Sequence, residues 1–165
     1  MTTEEYFRQY MTTAEKLVRV LTEKKLTCAT AESCTGGGIG SAITSVPGSS
    51  EVYAGGVVSY SNAVKHNVLG VSQESLDRHG AVSSEVAGEM AEGARRLLKV
   101  DLAVSVTGIA GPGGGSAEKP LGLVWFGVSS ARGTRTEKAI FAGDRARVRE
   151  QAVTHALGML TVAAT

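Results

Sequence analysis

The stretch Leu26–Gly37, with the sequence LTCATAESCTGG, decides the fold. Residues 26–31 predict a short strand, residues 32–37 predict a glycine-containing loop, and the small residues from 38 to about 45 predict a helix. Open α/β sheets bind their ligands in such loops, which lead from the carboxyl end of a strand into a helix. This stretch therefore predicts both the fold class and the position of a binding site.

Helix and strand patterns alternate early in the chain, and a predicted hairpin closes the sheet. Apolar residues spaced three and four apart predict an amphipathic helix over 4–24, with Phe7 and Leu17 in its buried stripe. Further helices are predicted at 62–69, 72–78, 84–99 and 145–162. Strands are predicted at 51–60, 101–107, 121–130 and 134–142. This order favours a three-layer α/β/α architecture with a mixed, mostly parallel sheet and one antiparallel strand.

The composition is that of a globular chain, with 42% hydrophobic and 20% charged residues in a length of 165. That length fits one domain covering 1–165. The longest apolar runs, such as 102–106, are too short to span a bilayer, and the acidic start Met1–Glu5 is unlike a signal peptide. We therefore expect a cytoplasmic location and no membrane partner.

Nucleic-acid and metal binding both lack their usual sequence features. The net charge is only +1 and aromatic residues are 5%, so a basic surface and stacking platforms are missing. Cys28 and Cys34 do not form a C-x-x-C pair, and the three histidines are scattered. We expect no nucleic-acid partner, no metal site and no disulfide framework.

The loop after the first strand offers several groups for chemistry. Ser33 and Thr35 carry hydroxyls, Cys34 carries a thiol, and the amides near Gly36 and Gly37 are suited to hold a phosphate or an oxyanion. The alternative is a structural turn whose serine only caps the following helix. Cys34 is a weaker candidate nucleophile, because no histidine lies near it in sequence.

A second glycine-rich loop follows the strand predicted at 101–107. Thr107, Gly108, Gly111 and Gly113 belong to it, and its glycines would let the backbone approach a ligand closely. The alternative is a long surface loop. Two such loops after two strands favour a shared cleft.

Tyr60 and Lys65 form a third candidate, because Lys65 lies about one turn into the helix predicted after Tyr60. A lysine whose pKa is lowered by burial acts as a general base, and serine–lysine pairs are known nucleophile–base arrangements. A solvated surface lysine is the alternative.

Arg145 and Arg149 form a fourth candidate, because they lie one turn apart after Asp144 and suit a phosphate. A basic helix start explains them equally well.

Together these segments resemble the CinA (competence/damage-inducible) carboxy-terminal domain family, which includes nicotinamide-nucleotide amidohydrolases. The matching blocks occur in the family's order over about residues 27–160: Ala31–Gly37, Pro47–Ser50, Gly56–Asn62 with Lys65, Leu69–Val71, His79–Ser83, Thr107–Gly114, Glu118–Pro120 and Gly143–Arg145 with Arg149.

The resemblance implies a stand-alone enzyme that hydrolyses nicotinamide mononucleotide to nicotinate mononucleotide and ammonia without a cofactor. By position, Ser33 would be the nucleophile, Lys65 the general base and Tyr60 an orienting or relaying group. Thr107 and the second loop would hold the substrate. Ser50 matches another family serine near the site and is the second candidate nucleophile.

One departure concerns the residue two positions before Lys65. Family members often carry an acidic residue there, whereas this chain has Ala63, a change that could alter the hydrogen bonding or the charge around the lysine. A non-catalytic nucleotide-binding module remains the main alternative. A nucleic-acid partner, suggested by the family's name, is disfavoured by the composition, and the sequence leaves a homo-oligomer open.

Overall fold

Helices and strands alternate only in the first part of the chain, and the computed structural model describes all residues from Met1 to Thr165. The helices are α1 (Thr3–Lys24), α2 (Gly38–Thr44), α3 (Asn62–Leu69), α4 (Gln73–His79), α5 (Ser84–Leu98) and α6 (Arg145–Ala164). The strands are β1 (Cys28–Glu32), β2 (Tyr53–Val58), β3 (Leu102–Gly108), β4 (Leu123–Ser130) and β5 (Gly133–Ile140). Each end lies within two residues of its predicted position. The short 3-10 helix Ser49–Glu51 was not predicted.

The five strands form one sheet in the order β2-β1-β3-β4-β5. Strand β1 pairs in parallel with β2 and β3, whereas β4 is antiparallel to both β3 and β5. Four strands therefore run in one direction and only β4 runs in the other. The predicted mixed, mostly parallel sheet with one antiparallel strand is confirmed.

The sheet is covered by helices on both faces. Helices α1, α2 and α6 enclose the larger core, which contains Leu17, Ile43 and Leu157. Helices α3, α4 and α5 enclose a smaller core that contains Leu69 and Met90. The predicted three-layer arrangement is therefore present. No helix combines the length and the apolar composition that a membrane span requires.

The first turns of α1 differ from the prediction. Phe7 was expected in the buried stripe, but 62% of its surface is exposed. The buried residues of α1 begin at Ala14 and continue through Leu21. Phe7 therefore has the correct periodicity, but the helix extends past the core at this end.

Helix α3 is held close to α5 by one glycine. A Cβ atom at Gly93 would collide with the backbone carbonyl of Leu69, so only glycine allows this close approach. Leu69 is the last residue of α3, and Lys65 lies one turn before it. The contact therefore fixes the helix that carries Lys65 against the rest of the protein.

Candidate active site

Three loops meet at one edge of the sheet, because β1, β2 and β3 run in parallel and end side by side. Glu32 pairs with Val58 on one side and with Val106 on the other. The loops that follow these strands therefore converge, as expected for the ligand-binding edge of an α/β sheet. Helix α6 begins at the same edge, where Arg145 contacts the loop after β3.

Ser33 and Lys65 form a buried pair at this edge. The Lys65 Nζ atom lies 3.1 Å from Ser33 Oγ. Only 1% of Lys65 and 8% of Ser33 are exposed, so bulk water has little access to the pair. The structure thus brings together the two residues that the sequence separates by 32 positions.

Main-chain carbonyls complete the surroundings of the lysine. Lys65 Nζ donates to the carbonyl oxygens of Ser59 at 2.9 Å and Tyr60 at 3.0 Å. Burial lowers the pKa of Lys65 below its ordinary value, since desolvation penalises the ammonium form. A neutral amine has two N–H bonds for the two carbonyls and one lone pair, which then faces Ser33 Oγ. This geometry suits a general base.

The loop after β1 is held by Glu32, which sequence reasoning missed. Glu32 Oε1 accepts hydrogen bonds from Thr35 Oγ1 at 2.6 Å and from the Ile39 amide at 2.9 Å. Its Oε2 accepts from the Gly40 amide at 3.0 Å. The available sequence feature was an acidic residue between a buried strand and a helix start, where a carboxylate is stabilised by amide donors.

Three amides of this loop make no hydrogen bond within the protein. The Ser33 amide donates to the Val106 carbonyl, and the Gly36 amide donates to the Ser33 carbonyl. The amides of Cys34, Thr35 and Gly37 have no such acceptor. Backbone amides beside a nucleophile are the usual donors to an oxyanion, so these three are candidates for that role.

Glycine is required at two adjacent positions of the loop. Gly36 has φ +58° and Gly37 has φ +101°, and residues with side chains rarely adopt this left-handed region. Thr35 was predicted to contact substrate, but its hydroxyl donates to Glu32 instead. The Thr35 side chain therefore holds the loop, and its amide is one of the three without an acceptor.

The Cys34 side chain is part of the protein interior. It is buried and packs into the larger hydrophobic core. Burial raises the pKa of the thiol to about 11, so the reactive thiolate is scarce near neutral pH. The alternative of a thiol nucleophile is disfavoured.

Two arginines of α6 hold the loops that form the cleft. Arg149 donates from Nε to the Cys34 carbonyl at 3.0 Å and from Nη2 to the Thr35 carbonyl at 3.3 Å. Arg145 donates from Nη1 to the Gly111 carbonyl at 2.8 Å. Both side chains are also exposed to solvent, so their charge remains available to an anion at the mouth of the cleft.

Tyr60 occupies a different position from the one expected. Its side chain is 63% exposed, and its hydroxyl is 3.4 Å from Arg145 Nη2. The hydroxyl makes no hydrogen bond with Lys65 or Ser33, and only the Tyr60 carbonyl contacts the lysine. The expected proton relay through Tyr60 is therefore not present in this arrangement.

The second glycine-rich loop lies beside the first and is tied down at its base. The buried Thr107 hydroxyl, expected to face substrate, donates to the Ala81 carbonyl at 2.9 Å. Gly108 packs against Val124 of β4, so its lack of a side chain serves strand packing. Gly111 accepts from Arg145, and Gly113 is surrounded by open space. Gly111 and Gly113 thus remain candidates for contact with a ligand.

Ser50 lies at the opposite edge of the sheet from Ser33. It belongs to the 3-10 helix before β2, and nearby Val52 accepts from the amide of Cys28, the first residue of β1. Ser33 follows the last residue of β1. Because of the strand length between them, Ser50 is not part of this cleft within one chain.

The departure at Ala63 does not alter the contacts of the lysine. Ala63 is exposed on α3, whereas the hydrogen-bond partners of Lys65 are Ser33, Ser59 and Tyr60. An acidic side chain at position 63 would project from the solvent-exposed face of the helix. The serine–lysine pair therefore forms without it.

Comparison with known proteins identifies the family. Residues 11–163 match the model of the CinA C-terminal domain. The chain belongs to the CinA C-terminal domain family. It is 51% identical over 146 residues to a putative competence-damage inducible protein of Caldanaerobacter subterraneus subsp. tengcongensis, covering 88% of this chain and 35% of that protein. It therefore spans about a third of the length of the curated relatives it matches.

Solved structures of the family share the fold over nearly their whole length. The competence/damage inducible protein CihA from Agrobacterium tumefaciens is 42% identical with a TM-score of 0.91, covering 94% of this chain and 95% of that one. A CinA superfamily protein from Escherichia coli is 37% identical with a TM-score of 0.89, covering 93% and 90%. The fold and the family are thus established, and the names identify no reaction.

Proposed function

We propose that this CinA-family chain is an amidohydrolase that converts nicotinamide mononucleotide to nicotinate mononucleotide and ammonia. The observation that carries the proposal is the buried Lys65 Nζ at 3.1 Å from Ser33 Oγ. A binding module would gain nothing from burying a lysine beside a serine, because desolvating an amine costs stability. A nucleophile and its base need this arrangement.

In the first half-reaction, Lys65 removes the proton from Ser33 as Oγ attacks the carboxamide carbon. We assign stabilisation of the oxyanion to the free amides of Cys34, Thr35 and Gly37, where each donor is worth roughly 3–4 kcal/mol. Lys65 then returns the proton to the departing nitrogen as the C–N bond breaks. Ammonia leaves, and the acyl group remains on Ser33.

In the second half-reaction, Lys65 deprotonates a water molecule that attacks the acyl carbon. The Oγ–C bond breaks, Ser33 recovers its proton, and nicotinate mononucleotide leaves as a carboxylate. The positive pyridinium ring withdraws electrons from the carbonyl and makes this amide more reactive than an ordinary one. The residues required for both steps are those of the buried pair.

The mononucleotide is the substrate that the family resemblance suggests, and the charge at the cleft is compatible with it. Exposed Arg145 and Arg149 lie where α6 meets both glycine-containing loops. Guanidinium groups bind phosphate through paired hydrogen bonds. Arg145 is our first choice for the phosphate contact and Arg149 is the second.

The test is ammonia release from nicotinamide mononucleotide by wild type and by Ser33→Ala. We expect Ser33→Ala to lose turnover while it still folds and binds the mononucleotide, because this loop serine contributes little packing. Ser45→Ala is the matched control, since Ser45 is an exposed serine beyond α2. Wild-type turnover by Ser33→Ala would refute Ser33 as the nucleophile. Saturable binding by wild type without ammonia release would indicate a binding module.

A further inference from the structure

We infer that Glu32 and Thr35 are positioning residues that hold the oxyanion-binding amides in place for catalysis. The inference rests on the proposed function and deepens it. Neither side chain would touch the substrate, since both are turned toward each other inside the loop.

The carboxylate of Glu32 is buried without a cationic partner. Only 2% of the residue is exposed, and no lysine, arginine or histidine pairs with it. A buried charge is costly unless several donors satisfy it, and here the Thr35 hydroxyl and the Ile39 and Gly40 amides do so. A neutral residue would avoid this cost if the loop needed only to be filled.

The three donors hold the loop at two points along the chain, on either side of the free Gly37 amide. Thr35 is inside the loop, whereas Ile39 and Gly40 are in the first turn of α2. The carboxylate therefore fixes the two ends of the segment that presents the amides of Thr35 and Gly37. Loss of any of these bonds would let the amides move relative to Ser33, and oxyanion stabilisation depends on preorganised donors.

Substitution of the Glu32 side chain would test the role of the loop amides without disturbing the contacts of Lys65. The carbonyl of Glu32 accepts from the Ser59 amide at 2.8 Å, and the Ser59 carbonyl accepts from Lys65. These main-chain bonds do not depend on the side chain. A defect in Glu32→Gln would therefore report on the amides and not on the contacts of Lys65.

Glutamine cannot replace this carboxylate without a conflict. Glu32 offers two acceptor oxygens to three donors, whereas a glutamine amide offers one oxygen and directs its NH2 group at a donor. We expect Glu32→Gln to lower kcat by roughly 100-fold with KM changed less than about threefold, as for loss of an oxyanion donor. The pH midpoint of kcat/KM should stay unchanged, because Lys65 keeps its surroundings.

Thr35 provides a finer pair of variants that is less at risk of misfolding. Thr35→Val removes the hydroxyl at nearly constant shape, and we expect roughly a tenfold or larger loss of kcat. Thr35→Ser keeps the hydroxyl and should restore most of that loss. Thr44→Val is the matched control, because the Thr44 hydroxyl donates only to carbonyls of α2.

The experiment measures ammonia release from nicotinamide mononucleotide, melting temperature, and the rate at which a fluorophosphonate probe labels Ser33. Labelling forms an Oγ–P bond, breaks the P–F bond, releases fluoride and passes the proton to Lys65. It needs the same amides but not the mononucleotide. Both variants that disturb the loop should slow labelling as well as turnover.

The outcomes separate the two proposals. Wild-type kcat and labelling in Glu32→Gln and Thr35→Val would overturn this inference while loss of activity in Ser33→Ala upheld the proposed function. A shifted pH midpoint in Glu32→Gln, or no rescue by Thr35→Ser, would also overturn it. Labelling of Ser33 without ammonia release would refute the proposed substrate, and the labelling rates would then decide this inference. If wild type showed no labelling and no turnover, both the proposed function and this inference would be overturned.

Discussion

Replacement of Lys65 by arginine retains a positive charge but removes the proposed base. An ordinary lysine has a pKa of about 10.4, so only about 0.04% is neutral at pH 7. Burial lowers the pKa of Lys65, which raises the neutral fraction tenfold for each unit of lowering. We therefore expect wild-type kcat/KM to rise tenfold per pH unit and to level off below pH 10.4.

The size of the loss follows from the role and the surroundings of the lysine. A positioned general base contributes about 10²–10⁴-fold to the rate, so Lys65→Arg should lose at least 100-fold across the accessible pH range. Guanidinium stays protonated there and cannot accept the Ser33 proton. Lys65→Met should lose turnover equally, and it would also leave the Ser59 and Tyr60 carbonyls without this donor, at about 1–3 kcal/mol each.

Stability provides a second measurement of the same pKa. Between the lowered pKa in the folded protein and the ordinary value near 10.4, the unfolded chain binds more protons than the folded one. The contribution of Lys65 to the free energy of unfolding should therefore rise with pH across this window, whereas the buried Cys28 and Cys34 thiols, whose pKa values are raised, oppose it equally in wild type and variant. Lys65→Met lacks the titrating group and should lack this rise.

The assay combines pH profiles of kcat/KM for ammonia release with urea unfolding at several pH values. Lys65→Arg and Lys65→Met must first be shown to be folded by their unfolding transitions. If Lys65→Arg kept most of the activity, the residue would be an electrostatic anchor and the serine–lysine mechanism would be refuted. A wild-type profile that levelled off only near pH 10.4 would refute the lowered pKa.

Cys34→Ala should keep substantial activity, because the thiol packs in the core and burial raises its pKa to about 11; complete loss in a folded variant would favour a thiol mechanism. Arg145→Ala should lower kcat/KM for nicotinamide mononucleotide while scarcely changing that for free nicotinamide, because only the former carries a phosphate. Arg147→Ala is its matched control, since that arginine contacts Glu150 and Thr3. Equal losses on both substrates would give Arg145 a structural role.

The element order could be predicted from the sequence because periodicity and capping residues act locally. Asp144 caps α6 and Ser83 caps α5, each by accepting a hydrogen bond from an amide in the first turn of its helix. The pairing of Ser33 with Lys65 was anticipated from the resemblance, and the convergence of parallel strand ends provides its physical reason. Phe7 fitted the pattern equally well, but periodicity does not specify where the opposing core ends.

The remaining differences arise from hydrogen bonds that depend on tertiary contacts. Thr35 and Thr107 are polar residues in glycine-containing segments, a composition that equally fits contact with substrate. Their hydroxyls are instead used by Glu32 and Ala81, which only the folded backbone brings near. Glu32 was missed for the same reason, since its place between a strand and a helix start does not reveal which donors its carboxylate meets.

The two outer strands of the sheet differ in the features that hinder pairing with another chain. Outer strand β5 carries Arg135, Glu137 and Lys138, and pairing with another chain would have to desolvate these charges. Outer strand β2 has no charged residue, but its register shifts where Ala29 pairs with Gly55. A bulge of this kind disturbs the regular spacing that a foreign strand would need. Charged side chains therefore hinder intermolecular pairing at β5, during folding and at high concentration, and an irregular backbone hinders it at β2.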